Sequence, residues 1–339
     1  MKILDSYLEN IRKEKRIAGF AVALTDEKAV RYARGFGVES VERPQVPVTE
    51  RSLFRIASIT KLVTGITVLQ LVAEGKLALD APVKEIIPWL TLSQRDAEKA
   101  LTLRHLLSHT GGLPAEYTPD GPLEEAALEP SLQRELPVAQ MASLPGDGVF
   151  LYSNLGIRLA SLMAEKVTGK PFTLLAREMT LSPLGMNTTT FDLHLAATYP
   201  LCLPHEEKDG TFTVFHRLQE NAVRHAAGGL YSNVLDLCRL ARFINSGVTD
   251  EGKALLPPHL LKEMKTPHGK DPTGFSYGLT MRLEPYRNGF LCGHHGSAPP
   301  YATSLMTHKE SGLGIALLMN TQRDDLRTEI PKKILDMLL

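Results

Sequence analysis

Four residues, Ser58-Ile59-Thr60-Lys61, restrict the fold of this chain more than any other stretch. They head the apolar run Leu62-Val63-Thr64-Gly65-Ile66-Thr67-Val68-Leu69. Leu62, Ile66, Leu69 and Ala73 recur at helical spacing, and Val63, Val68, Leu71 and Val72 make the other faces apolar too. A helix apolar all round is a buried one, and Gly75 is its natural C-terminal stop. Within it Ser58 and Lys61 lie three apart on one face. A lysine there is costly to desolvate without a partner and opposes the helix dipole. Two readings account for it. In one, Ser58 caps the helix and Lys61 reaches solvent. In the other, the pair performs nucleophilic catalysis: a serine hydroxyl needs a base to attack, and burial lowers the pKa of an amine toward neutrality. Backbone N–H groups at the helix start would then face a developing oxyanion.

The rest of the chain bears on that choice. Its 339 residues allow one large domain or two smaller ones. A formal net charge of +0 gives no electrostatic reason to expect nucleic acid or an anionic membrane as partner. Cys202, Cys238 and Cys292 are odd in number and widely spaced, which suggests neither a disulfide framework nor a zinc motif. The first residues, Met1-Lys2-Ile3-Leu4-Asp5-Ser6, hold no long apolar stretch and no cleavage-like site. The expectation is a cytoplasmic protein without a membrane span, or a periplasmic or secreted one if a leader has been removed.

Strand patterns occupy both ends. Ala18 to Thr25 and Ala29 to Gly37 read as a hairpin after a helix from Asp5 to about Lys15. Gly278 to Leu283, Phe290 to His294, Ala302 to Met306 and Leu313 to Met319 read as strands before a closing helix from Thr328. Between them the chain is largely helical: Val83 to Leu90 broken by Pro88, Thr102 to Ser108, Leu155 to Val167, Phe172 to Met179 and Asn233 to Ile244. Asn233 and Asp236 have the spacing of a capping box. The simplest packing is an α+β arrangement in which both ends, 1–75 and 270–339, share one antiparallel sheet flanked by helices. Residues 76–269 would form a mostly helical region, with the cleft at the junction near Ser58.

Two further clusters carry chemistry or plain structure. Tyr152-Ser153-Asn154 precedes the Leu155 helix. As structure, Ser153 or Asn154 caps that helix. As chemistry, the Tyr152 phenol shuttles a proton, and the Asn154 amide binds a substrate carbonyl or holds Lys61. Gly293-His294-His295-Gly296-Ser297 ends a late strand. As structure it is a strand edge and a turn. As chemistry, the strand pairs with an extended substrate, Gly296 lets substrate approach the backbone, and the Ser297 N–H is a second oxyanion donor.

Ser-x-x-Lys, Tyr-x-Asn and His-x-Gly, in this order, resemble the serine β-lactamase and penicillin-binding protein superfamily. The resemblance is greatest to the branch of class C β-lactamases, D-alanyl-D-alanine carboxypeptidases, family VIII esterases and D-aminopeptidases. Leu106-Leu107-Ser108-His109-Thr110-Gly111-Gly112-Leu113-Pro114, Pro145-Gly146, Pro183-Leu184-Gly185-Met186 and Ala227-Gly228-Gly229-Leu230 with Asp236 extend it over most of the chain. It implies an antiparallel sheet flanked by helices, with Ser58 as the acylated nucleophile. Lys61 and Tyr152 would share general-base and general-acid work, and Asn154 would orient Lys61 and the substrate. The backbone N–H groups of Ser58 and Ser297 would form the oxyanion hole. His109, Gly111 and Gly112 would shape the cleft wall. No cofactor is implied, and the partner would be a small ester, amide or peptide.

The sequence departs from class C β-lactamases at the third motif, where Lys-Thr-Gly is replaced by His294-His295-Gly296. The lysine of that motif typically helps hold a substrate carboxylate and tunes the tyrosine. The departure argues against efficient β-lactam turnover and leaves ester and peptide hydrolysis open. Acyl transfer to another acceptor, a non-turnover sensor and metal-dependent hydrolysis are the rival readings. For the last, His294 and His295 would point to opposite faces of a strand. If His294 works as a cation, activity falls as pH rises through its pKa, near 6.5 when unperturbed. The stretches Gly274 to Gly278 and Leu113 to Leu136 are further expected to line or cover the cleft. Oligomeric state is left open.

Overall fold

The computed structural model describes residues 2–115, 124–216, 218 and 221–339. Two apolar runs from opposite ends of the chain pair with each other in it. Gly19–Thr25 (β1) and Leu313–Met319 align antiparallel, with Phe20 opposite Met319. Alternate residues enter different cores. Phe20, Val22 and Leu24 join Ile315, Leu317 and Met319 on one face, and Ala21 and Ala23 join Ala316 and Leu318 on the other. A strand buried on both faces reads as a continuous apolar run, which is why β1 shows no polar alternation.

The other strands in chain order are Val30–Gly37 (β2), Phe54–Arg55 (β3), His205–Lys208 (β4), Thr211–Val214 (β5), Tyr231–Ser232 (β6), Gly269–Lys270 (β7), Ser276–Tyr277 (β8), Arg282–Tyr286 (β9), Gly289–Ala298 (β10) and Tyr301–His308 (β11), with Leu313–Met319 as β12. Eight form one antiparallel sheet in the order β2-β1-β12-β11-β10-β9-β8-β7. The short pairs β3–β6 and β4–β5 stand outside it. Helices Lys2–Glu14 and Leu326–Leu338 cover the first face through Leu4, Leu8, Ile330 and Ile334. Helix Val234–Ser246 lies on the second face against β1, β11 and β12. It comes close because the facing residues are small: a Cβ on Gly314 would stand 2.7 Å from that of Ala241. This α+β fold, an antiparallel sheet flanked by helices, is the one the sequence pattern predicts.

Helix Thr60–Ala73 runs through the larger core, with every residue from Thr60 to Leu69 buried. Residues 76–269 hold helices Leu103–Ser108, Leu128–Glu135, Asn154–Thr168 and Pro258–Met264. They also hold Val234–Ser246, which belongs to the sheet layer, and the β4–β5 hairpin.

Several local expectations are corrected. Of the expected strand Gly278 to Leu283, only Arg282 and Leu283 belong to one, as the start of β9; Gly278 to Met281 is the connection from β8, with Thr280 at φ +58. The Thr280 N–H donates to the Leu107 carbonyl at 2.7 Å, and a Cβ on Gly65 would meet the Thr280 hydroxyl at 1.9 Å. This turn is therefore wedged against the buried helix. Val83 to Leu90 reduces to a 3-10 turn, Val83–Glu85. Asn233 caps its helix, but the Asp236 carboxylate turns away to accept from the Thr188 N–H and the Thr188 and Thr189 hydroxyls. The reciprocal capping box occurs instead at Thr102 and His105.

Candidate active site

Ser58 lies in a 3-10 turn, Ala57–Ile59, that leads directly into helix Thr60–Ala73. Ala57 before it takes φ +49, a left-handed conformation that an L-residue holds only where its surroundings impose it. The surroundings are explicit: the Ile56 N–H donates to the Leu230 carbonyl at 2.9 Å, and the Ile56 carbonyl accepts from the Thr303 hydroxyl at 2.9 Å. Ser58 makes no capping hydrogen bond, and Lys61 is wholly buried, so the capping reading fails on both counts. The Lys61 Nζ stands 3.0 Å from Ser58 Oγ, 2.8 Å from Asn154 Oδ1 and 2.6 Å from the Ala227 carbonyl oxygen. Burial, with the Arg224 charge adding to it, holds Lys61 well below the ordinary lysine pKa.

With its pKa lowered, a neutral amine can serve all three contacts. It has two N–H groups, which the two carbonyl oxygens take, and one lone pair, which faces the Ser58 hydroxyl. An ammonium would spend its third proton on Ser58 and leave nothing to accept that residue's proton.

Helix Asn154–Thr168 brings the second cluster to the same point. Ser153 caps it, accepting from the Gly156 N–H at 3.1 Å, so Tyr152 and Asn154 flank the cap. The Tyr152 phenol lies beside Ser58, and its ring lies 4.9 Å from Lys61 Nζ. Burial raises the Tyr152 pKa, while the Ser58 contact and the Arg327 and Arg282 charges pull it the other way. The phenol therefore stays protonated. His109 fixes its position. The His109 ring sits 4.4 Å from that of Tyr152, and its Nδ1 accepts from the Ser153 N–H at 3.2 Å. Gly112, at φ +70, packs so closely that a Cβ would meet the Ser143 carbonyl oxygen at 2.0 Å.

Strand β10 supplies the third cluster, and here two readings change. His294 is buried, with Nδ1 donating to the His295 carbonyl and Nε2 accepting from the Tyr277 hydroxyl at 2.8 Å. Burial, then the nearby Lys61, holds it well below the ordinary histidine pKa. His294 is thus neutral, and the cationic role expected of it is corrected. Gly296 does not clear room for substrate. A Cβ there would stand 2.3 Å from the Ile56 carbonyl oxygen and 2.2 Å from the Thr303 hydroxyl. Its missing side chain lets β10 press against the turn that carries Ser58. His295 faces the opposite way, pairing with Ser304 at 3.0 Å and with the buried Glu284 at 2.8 Å. Ser297 lies at the cavity edge, its hydroxyl 3.5 Å from Asp324.

Ser58, Tyr152, Asn154, His294, His295 and Ser297 line one cavity of about 400 Å³. Lys61 does not line it and lies behind Ser58, Tyr152 and Asn154. The sequence reading missed four arginines in the same wall: Arg55, Arg224, Arg282 and Arg327. Arg282 stacks over Phe275 at 3.4 Å and pairs with Glu284, while Arg327 donates to the Gly296 carbonyl at 2.9 Å and pairs with Asp324. Nothing in their local sequence sets these arginines apart from surface ones. Phe275 and Tyr277, from the stretch expected to line the cleft, do line it. Of Leu113 to Leu136, residues 116–123 lie outside the described residues, and none of the others lines this cavity.

The family model described as "Beta-lactamase" matches residues 4–337. Esterase EstB of Burkholderia gladioli is 33% identical over 203 residues, which is 56% of this chain and 50% of that protein. The chain spans about half the length, or less, of the first curated relatives it matches. Among solved structures, the octameric penicillin-binding protein homologue from Pyrococcus abyssi aligns with a TM-score of 0.86 and 26% identity, over 99% of this chain and 77% of that one. D-amino acid amidase from Ochrobactrum anthropi aligns with a TM-score of 0.81 and 21% identity, over 99% of this chain and 98% of that one, a likeness of fold.

Proposed function

This chain belongs to the beta-lactamase family, and on that premise we propose a serine hydrolase that acylates Ser58 with a small ester or amide and passes the acyl group to water. One observation carries the reading: Lys61 Nζ, buried and held toward its neutral form, stands 3.0 Å from Ser58 Oγ and between two carbonyl oxygens that can take its N–H groups. Ser58 Oγ attacks the substrate carbonyl carbon as its proton passes to Lys61 Nζ. The oxyanion is held by the backbone N–H groups of Ser58 and Ser297. On collapse the C–O or C–N bond breaks, and Tyr152, kept protonated by burial, gives its proton to the leaving group and regains one from Lys61. Water then attacks the acyl-enzyme, Lys61 accepting its proton; the bond from the acyl carbon to Ser58 Oγ breaks, Oγ takes that proton from Lys61, and the carboxylic acid leaves.

The name of the EstB relative supports an ester substrate. A second reading, cleavage of an amide or peptide that bears a carboxylate, is favoured by Arg282 and Arg327 beside β10. Intact-mass measurement separates the two. Wild type and Ser58→Ala are dosed with p-nitrophenyl butyrate, a fluorophosphonate, a D-Ala-D-Ala peptide and a penicillin while product is followed. A Ser58-dependent adduct that clears with ester turnover supports the first reading, and faster peptide turnover the second. A permanent adduct with every acyl donor marks a sensor, and no Ser58-dependent adduct removes Ser58 as the nucleophile.

A further inference from the structure

A second cavity, of about 480 Å³, shares no lining residue with the first. It is within the size range of small-molecule pockets, about 300–1,000 Å³. Leu174, Leu181, Phe191, Leu193 and Leu195 make its apolar wall. Leu174 and Leu195 stay 39% and 42% exposed, so the wall is open to a ligand rather than closed as core. The His225 ring, 5.5 Å from that of Phe191, forms a flat surface at one side.

Two features set this cavity apart from a packing defect. Helix Phe172–Ala176 passes into one π turn, Arg177–Leu181, and both ends of that turn line the cavity. π turns are rare and concentrate at functional sites. Arg177 is exposed at the rim, and among the described residues nothing pairs with its guanidinium. The acid in this wall, Asp192, is already engaged by the His194 and Leu195 N–H groups at 2.7 and 3.3 Å. A planar guanidinium beside an apolar pocket selects a carboxylate on an apolar body.

We propose that this cavity is a second, non-catalytic site that binds an amphipathic carboxylic acid, its carboxylate on Arg177 and its apolar body between Leu181, Phe191 and His225. The site adjoins the catalytic layer. His225 opens the short helix His225–Gly228, whose Ala226 and Ala227 carbonyls accept from Thr64 and Lys61.

The probe is 4-phenylbutyrate, titrated calorimetrically into the full chain after Ser58 has been capped with a fluorophosphonate, with 4-phenylbutan-1-ol as the uncharged comparator. One saturable site is expected in the capped protein. Arg177→Ala should weaken it about tenfold or more, and the alcohol should bind weaker than the acid by a similar factor. Binding that vanishes on capping, binding indifferent to Arg177→Ala, or no saturable binding in the millimolar range overturns the proposal. If the fluorophosphonate never adds to Ser58, the hydrolase reading fails instead. The Arg177→Ala comparison still decides this proposal, because Arg177 lies outside the reaction cavity.

Discussion

The carbonyl oxygen of Ile56 stands 2.3 Å from the point that a Cβ on Gly296 would occupy. That approach holds β10 against the turn bearing Ser58, and so sets the distance between the proposed oxyanion donors. Gly296→Ala must push strand and turn apart, since the obstructing atom is backbone and cannot rotate away. We expect a stability loss of about 1–3 kcal/mol, as for overpacked cores, and a larger effect on catalysis, about 100-fold in kcat/KM for one displaced oxyanion donor. Urea denaturation and ester kinetics on the same variant check both. A variant with wild-type kcat/KM removes β10 from the oxyanion hole.

Lys61→Met keeps most of the side chain's apolar stem and removes the amine. The buried amine is costly to desolvate, so its loss offsets the two carbonyl oxygens, of Asn154 and Ala227, left without a donor. The folded state should survive with little net change in the urea midpoint. Acylation of Ser58 should slow by about 100- to 10,000-fold, the usual contribution of a positioned general base. Stopped-flow release of p-nitrophenol and intact mass measure this directly. Acylation at the wild-type rate would assign the base elsewhere.

The pH profile follows from the same geometry. In the proposed reaction Lys61 acts as the free amine, and burial holds its pKa well below 10.5. Activity should therefore rise with pH through that lowered value. Tyr152 acts there as the protonated phenol, and its raised pKa puts the opposing fall above pH 10.0. His294 is held neutral, so it adds no falling limb near neutrality. The kcat/KM profile of His294→Gln on an uncharged ester should keep the wild-type acid limb, even if its level drops through loss of the Tyr277 contact. A neutral-range fall in wild type that this variant abolishes would restore a cationic His294.

Much of this site is legible because its parts are local. Ser58 and Lys61 share a helical turn, and Tyr152 and Asn154 flank the Ser153 cap, so spacing alone places each pair. The paired apolar runs β1 and β12 likewise announce a sheet buried on both sides. What the sequence hides comes from register and backbone. The Ala227 carbonyl that holds Lys61 carries no side-chain signature. Arg282 and Arg327 reach the cavity only because β9 pairs with β10 and the last helix crosses behind both. The inward fold of Gly278 to Met281 depends on Thr280 in a left-handed conformation, which a residue pattern that alternates like a strand does not reveal.

Register also creates a polar cluster behind β10 whose worth can be measured. Glu284 is 4% exposed and contacts Arg282 at 2.6 Å, His295 at 2.8 Å and Lys332 at 3.0 Å. Burial alone would raise its carboxyl. The His295 hydrogen bond and the Arg282 and Lys332 contacts outweigh that and hold it well below the usual 4.5. His295 itself is lowered by burial in spite of Glu284, so the charge of the pair rests on the carboxylate. A depressed carboxyl pKa contributes stability that is present above the unfolded value and lost as pH falls through the folded one. Glu284→Gln keeps the shape and removes the charge. Breaking a buried pair costs about 3–5 kcal/mol, but Arg282 and Lys332 are 26% and 36% exposed and partly screened. We therefore expect a loss of about 1–3 kcal/mol at pH 7. The difference from wild type should shrink as pH drops below 4.5, where the carboxylate of the unfolded wild-type chain takes up a proton that the folded one still refuses. Urea midpoints across that range test the sign, and a gap that widens on acidification would show that the carboxylate is not what stabilises the strand.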